Sequence, residues 1–112
     1  TLRSGGLVGI LADQRARPPD AVVVPFFGRP ASTTTSVARF VAKTGTLVLP
    51  AVCLRTGPGR YRYVFSEPFD AATLPPEERE PEPLTARLTA LVESQVRQAP
   101  GQWLWLHDRW RL

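Results

Sequence analysis

Short apolar runs and two amphipathic stretches alternate along this chain, and their periods predict its elements. Residues 7–12 (Leu7-Val8-Gly9-Ile10-Leu11-Ala12) form a continuous apolar run, the pattern of a strand buried on both faces. It ends in Asp13-Gln14-Arg15 and then Pro18-Pro19-Asp20, which is loop chemistry. Val22-Val23-Val24 is a second β-branched run, and Pro25 makes it a short edge strand or an extended loop, not a central strand. Residues 31–43 read as a helix. Ser32-Thr33-Thr34-Thr35 offers capping hydroxyls, Val37, Phe40 and Val41 form a narrow stripe, and Gly45 supplies a stop after Lys43.

Residues 47–54 are another near-continuous apolar strand with Pro50 as an irregularity. Gly57-Pro58-Gly59 is a turn, and beyond it Tyr61, Tyr63 and Phe65 alternate, so an antiparallel hairpin is expected here. Residues 75–83 hold four prolines among glutamates and read as a solvated connector without regular structure. Leu84, Leu88, Leu91, Val92 and Val96 then mark an amphipathic helix over residues 84–98, stopped by Pro100-Gly101. An aromatic-dense tail closes the sequence, and no internal repeat is evident.

This order predicts an α/β fold: a partial mixed sheet of about four strands with two packed helices. Two near-continuous apolar strands need cover on both faces, and two helices provide little of it. Residues 1–112 are therefore expected to be a piece of a larger αβ domain, with the connector at 75–83 inside it. The absence of methionine, even at position 1, likewise predicts a processed, trimmed or excised chain.

With 43% apolar and 21% charged residues, wholesale disorder is excluded. The single cysteine, Cys53, excludes an internal disulfide and any multi-cysteine metal site; inside an apolar run it is expected to be a buried, inert thiol. No apolar run within these residues approaches the roughly 20 needed to span a bilayer. Charge is distributed unevenly: residues 1–66 carry nine basic and two acidic side chains, residues 67–112 five basic and eight acidic. A basic first half suits anionic partners such as phosphates, an acidic carrier protein or a lipid headgroup surface, or is simply a solvated arginine-rich surface.

Asp13 stands just past the end of the first expected strand, where α/β sheets bind ligands; it is a site candidate or a turn-capping carboxylate. Gln14 and Arg15 share its loop and could donate to a phosphate or carbonyl. Pro25-Phe26-Phe27-Gly28-Arg29-Pro30 runs into the hydroxyl-rich helix start, where free N–H groups could hold an anion. The phenylalanine pair reads as core or as lipid contact. In the tail, alternation would put Trp103, Trp105 and His107 on one face of an extended segment. His107, a lone histidine, makes no metal site, and His107-Asp108 makes no triad without a nucleophile.

Taken in succession, several stretches resemble the lipid A biosynthesis lauroyl/myristoyl acyltransferase family, a branch of the lysophospholipid acyltransferase-like superfamily. They are Gly9-Ile10-Leu11-Ala12-Asp13-Gln14, Val24-Pro25-Phe26-Phe27-Gly28, Ala31-Ser32-Thr33-Thr34-Thr35, Ala42-Lys43-Thr44-Gly45 and Val48-Leu49-Pro50, continuing to Arg55. The resemblance closes on Ala99-Pro100-Gly101-Gln102-Trp103-Leu104-Trp105-Leu106-His107-Asp108-Arg109-Trp110, and covers the C-terminal third to half of a family member.

The resemblance implies transfer of a fatty acyl chain from an acyl-carrier protein or acyl-CoA to a hydroxyl of a glycolipid such as a lipid A precursor. The expected setting is the cytoplasmic face of the bacterial inner membrane, without a cofactor, a metal or nucleic acid. In the family a histidine of a His-x-x-x-x-Asp/Glu motif deprotonates the acceptor. That motif lies upstream of the matched segment; here His107 is followed five positions later by Leu112. No turnover is therefore expected of residues 1–112 alone. By the same resemblance Asp13 is the carboxylate that faces the histidine, and Thr33, Thr34 and Thr35 line the acyl or acceptor cleft with Gln14 and Arg15 nearby. The tryptophan-rich end would pack beneath the sheet or rest on the membrane. A different class of reading, a non-catalytic module that binds anionic lipid, draws on the absent motif, the basic first half and the aromatic tail.

Overall fold

A computed structural model describes residues 2–103 and 106–112. It is an α/β arrangement with four strands and two helices, the strands lying in two separate two-stranded antiparallel sheets.

The first sheet pairs β1 (Ala21–Phe26) with β2 (Arg29–Thr34), in a register that sets Val24 opposite Ala31 and Pro25 opposite Pro30. Phe27 and Gly28 connect them, both at positive φ (51° and 74°), the geometry of a two-residue type I′ turn. Pro25 is tolerated here for a definite reason. The pair flanking such a turn exchanges hydrogen bonds, so the next pair, Pro25 with Pro30, is one whose N–H groups the ladder does not use.

The hydroxyl-rich stretch at 31–34 is thus strand, which corrects the expectation that it opens a helix. α1 (Ser36–Thr44) starts later, with the Arg39 N–H bonded to the Thr35 carbonyl at 2.9 Å. It ends as expected: Gly45 is left-handed (φ 66°) and returns its N–H to the Val41 carbonyl at 2.8 Å.

The second sheet pairs β3 (Ala51–Gly57) with β4 (Arg60–Phe65), the hairpin expected from the glycine turn and the aromatic alternation. β3 begins later than the apolar run because Val48 pairs elsewhere, exchanging two backbone hydrogen bonds with Phe69 at 2.9 and 2.7 Å. Cys53 is exposed, which corrects the expectation of a buried thiol: one side of this two-stranded sheet has no covering layer among the described residues.

Residues 7–12 form no strand, a further correction: among the described residues they pair with neither hairpin, and Leu7 and Leu11 stand 86% and 93% exposed.

The proline-rich connector is more regular than expected. A 3-10 turn spans Pro76–Arg79, and α2 (Pro81–Gln98) starts inside the connector. Its first i→i−4 bond comes from the Leu84 N–H to the Glu80 carbonyl at 3.0 Å. Pro81 and Pro83 precede that donor, at positions whose N–H groups a helix leaves unpaired in any case. α2 joins two small cores. Leu84 and Leu88 pack with Ala38, Val41 and Ala71, while Val92 and Val96 pack with Phe26, Ala31, Trp103 and Trp110.

Candidate functional site

A cavity of about 810 Å³ opens between the 5–13 segment, α1, residues 46–54 and the apolar face of α2. Its walls include Leu7, Ile10, Val41, Leu88, Leu91 and Val92. Among the described lining residues Asp13 is the only one with a charged side chain, and Gln95 supplies an amide. The size falls within the range of small-ligand pockets, and the walls suit a hydrocarbon.

Asp13 Oδ1 is buried and has no hydrogen-bond partner among the described residues. A carboxylate oxygen in that state carries a desolvation cost that ordinarily selects against it. Gln95 Nε2, on the α2 wall, is buried and unpartnered in the same way.

Beneath Asp13 its loop is pinned from two sides. Ala16 donates its N–H to the Ser32 carbonyl at 3.1 Å, and Ser32 Oγ donates to the Ala16 carbonyl at 2.7 Å, so the loop lies along β2. Arg15 donates its backbone N–H to His107 Nε2 at 3.1 Å. A nitrogen that accepts cannot carry the proton, which places the hydrogen of a neutral imidazole on Nδ1.

Arg109, 1% exposed, is the most deeply buried charged side chain described. Nη1 donates to the Ser32 carbonyl at 2.9 Å and Nη2 to Thr33 Oγ1 at 2.7 Å, with the guanidinium 5.1 Å over the Phe26 ring. Burial pulls the guanidinium below the ordinary arginine range, and the charge of Asp13 opposes that shift. Sequence reading placed Arg109 only in a closing motif. Its burial against β2 depends on a tertiary contact 77 residues long, with no local signal.

The sequence candidates thus divide. Asp13 faces the cavity and Arg15 secures its loop through the main chain, whereas Gln14 is exposed. Thr33 is bonded to Arg109, Thr34 Oγ1 bonds Ser36 Oγ at 2.9 Å, and Thr35 Oγ1 is buried without a partner among the described residues. None of the three threonines is on the described wall of the large cavity. The tail is not extended over its described part: a 3-10 turn spans Pro100–Gln102 and turns follow. The expected extended face of Trp103, Trp105 and His107 is thereby corrected: Trp103 packs against Phe26, and His107 Nε2 turns to the Arg15 N–H. Trp105 lies outside the described residues, and Trp110 Nε1 donates to the Phe26 carbonyl at 2.9 Å.

Comparison with known proteins supplies the family. Residues 1–112 match the profile of the bacterial lipid A biosynthesis acyltransferases. A lipid A biosynthesis lauroyltransferase of Escherichia coli (strain K12) is 30% identical over 116 aligned positions, covering 98% of this chain and 35% of the relative. The chain therefore spans about a third of the length of that relative, and no solved structure matches. The match runs through Asp13, the hairpin β1–β2 and the Arg109 segment alike, and the chain belongs to the bacterial lipid A biosynthesis acyltransferase family.

Proposed function

We propose that residues 1–112 are the C-terminal part of an O-acyltransferase that moves a fatty acyl chain from acyl-carrier protein or acyl-CoA to a hydroxyl of a lipid A precursor-like glycolipid. One observation carries this reading beyond family membership: a largely apolar cavity whose only charged described wall residue is Asp13. The acyl chain lies along Leu88, Leu91 and Val92, with the thioester end toward Asp13.

In this scheme a histidine from outside residues 1–112 takes the proton of the acceptor hydroxyl. The hydroxyl oxygen attacks the thioester carbonyl, the C–O bond forms, the C–S bond breaks, and the departing thiolate takes up a proton. Asp13 orients that histidine and stabilises its protonated form. The unpartnered Oδ1 is consistent with a hydrogen-bond donor brought by another part of the protein. Residues 1–112 alone then support no turnover.

The working place is the cytoplasmic face of the inner membrane. No helix of the described residues is long and apolar enough to cross a bilayer. Contact with lipid is assigned instead to segments outside these residues and to exposed apolar side chains such as Leu7 and Leu11.

The test is acyl transfer by the full-length protein, with lauroyl-acyl-carrier protein and lauroyl-CoA compared as donors. Asp13→Ala is expected to lower the rate by about a hundredfold or more, the scale of a general-base arrangement. Normal transfer by that variant would sink the assignment of the site.

A further inference from the structure

Arg109 and Asp13 are complementary in what each lacks. Among the described residues the carboxylate oxygen Oδ1 is a buried acceptor without a donor, and Arg109 Nε is a buried donor without an acceptor. The other two guanidinium nitrogens are fixed: Nη1 on the Ser32 carbonyl and Nη2 on Thr33 Oγ1. Ser32 is the same residue whose carbonyl and hydroxyl hold Ala16, three positions after Asp13. The loop bearing the carboxylate and the guanidinium therefore share one anchor on β2.

The tail adds further fixings around that anchor. His107 Nε2 accepts from the Arg15 N–H, the Arg109 N–H donates to the His107 carbonyl at 2.8 Å, and Trp110 Nε1 is bonded to Phe26. Burying an arginine is costly unless its charge is compensated. Two neutral acceptors and an aromatic face compensate only part of that cost, and the charge of Asp13 opposes the downward pull of burial on the guanidinium.

We propose that Arg109 is a positioning residue for the Asp13 carboxylate: from the C-terminal tail it fixes Ser32 and Thr33 of β2, the strand segment to which the Asp13 loop is bonded, and its positive charge acts on the carboxylate. The inference rests on the acyltransferase reading of Asp13. Arg109 itself touches neither substrate; it acts through Asp13. A displacement of the carboxylate by about 1 Å is enough to cost a hundredfold in rate where geometry is exacting.

The experiment uses the full-length protein and the lauroyl donor assay, with Asp13→Asn, Arg109→Met, Arg109→Lys and Thr33→Val compared at matched folded fraction by circular dichroism. Arg109→Met is expected to lower kcat by at least about tenfold while KM stays within about twofold, the pattern of an interaction that matters in the transition state. Arg109→Lys, which keeps the charge and loses the fork, is expected to recover only part of kcat. A folded Arg109→Met variant with near-normal kcat, or a lysine variant no better than methionine, overturns the proposal.

Should Arg109→Met fail to fold, Thr33→Val decides instead. It removes one anchor of the guanidinium at nearly constant volume, and kcat is expected to fall several-fold with KM unchanged; an unchanged kcat overturns the proposal. Asp13→Asn separates the two levels. Normal activity there defeats the underlying reading of the site, whereas an impaired Asp13→Asn beside normal Arg109 variants defeats only the role of Arg109.

Discussion

The Arg15 backbone N–H and His107 Nε2 meet at 3.1 Å across 92 residues of sequence, joining the Asp13 loop to the C-terminal tail. The histidine thus serves as an acceptor for the main chain through Nε2. His107→Ala leaves the part-buried N–H without a partner, and the expected loss is about 1–3 kcal/mol of stability. His107→Gln, which can present an amide oxygen, is expected to recover part of it. Urea denaturation measures the loss, and faster amide exchange at Arg15 in the alanine variant locates it.

Two neighbouring threonines should respond in opposite ways to the same change. Thr33 Oγ1 accepts from Arg109 Nη2 and donates to the Ala31 carbonyl at 3.0 Å, so Thr33→Val leaves a buried cation short of an acceptor. A destabilisation of about 1–3 kcal/mol is expected. Thr35 Oγ1 is buried with no partner among the described residues, and Thr35→Val exchanges that hydroxyl for a methyl of similar size. Its stability is expected to stay equal or rise, because the desolvated polar atom is removed outright. Thermal melts of the two variants decide this. If acyl transfer is lost in stable Thr35→Val, the hydroxyl belongs to the substrate site.

The same threonines show what could be read from sequence. Ser32-Thr33-Thr34-Thr35 suits both a helix cap and a β-branched strand, and only pairing with residues 21–24 across the Phe27-Gly28 turn decides for strand. Gly57-Pro58-Gly59 and the stripe Leu84, Leu88, Val92 and Val96 carried their own local signal, so the second hairpin and α2 were legible. Residues 7–12 misled because a continuous apolar run implies burial by neighbours, and the neighbours it needs are not among the described residues. Asp13 was recognisable from its place after that run and from the family motif. Arg109 was not, because a buried cation is specified by acceptors 76 and 77 residues away.

Gly45 offers a test of backbone conformation without interference from packing. It closes α1 at φ 66°, and a methyl group built on its Cα meets nothing within 4 Å. Gly45→Ala therefore imposes the left-handed strain on an L-residue and little else. The expected cost is about 1 kcal/mol, seen as a lower urea midpoint with an unchanged m-value. Gly45→Asn, which tolerates this region better, is expected to lose less.

Phe27 adopts the same half of conformational space without a glycine's freedom, at φ 51° beside Gly28. What holds it there is visible from α2: Glu93 Oε1 accepts the Phe27 N–H at 2.5 Å, and the Arg97 guanidinium lies 4.8 Å over the Phe27 ring. These contacts fasten the tip of the first hairpin to the helix that lines the cavity. Glu93→Ala removes the charged acceptor and is expected to cost about 1–3 kcal/mol, whereas Glu93→Gln keeps an acceptor and is expected to cost about half as much. Because β2 also carries Ser32 and Thr33, loosening this tip is expected to speed amide exchange at Ala16, whose N–H bonds the Ser32 carbonyl. Exchange at Ala16 that is unchanged in Glu93→Ala would show that the hairpin tip and the Asp13 loop move independently.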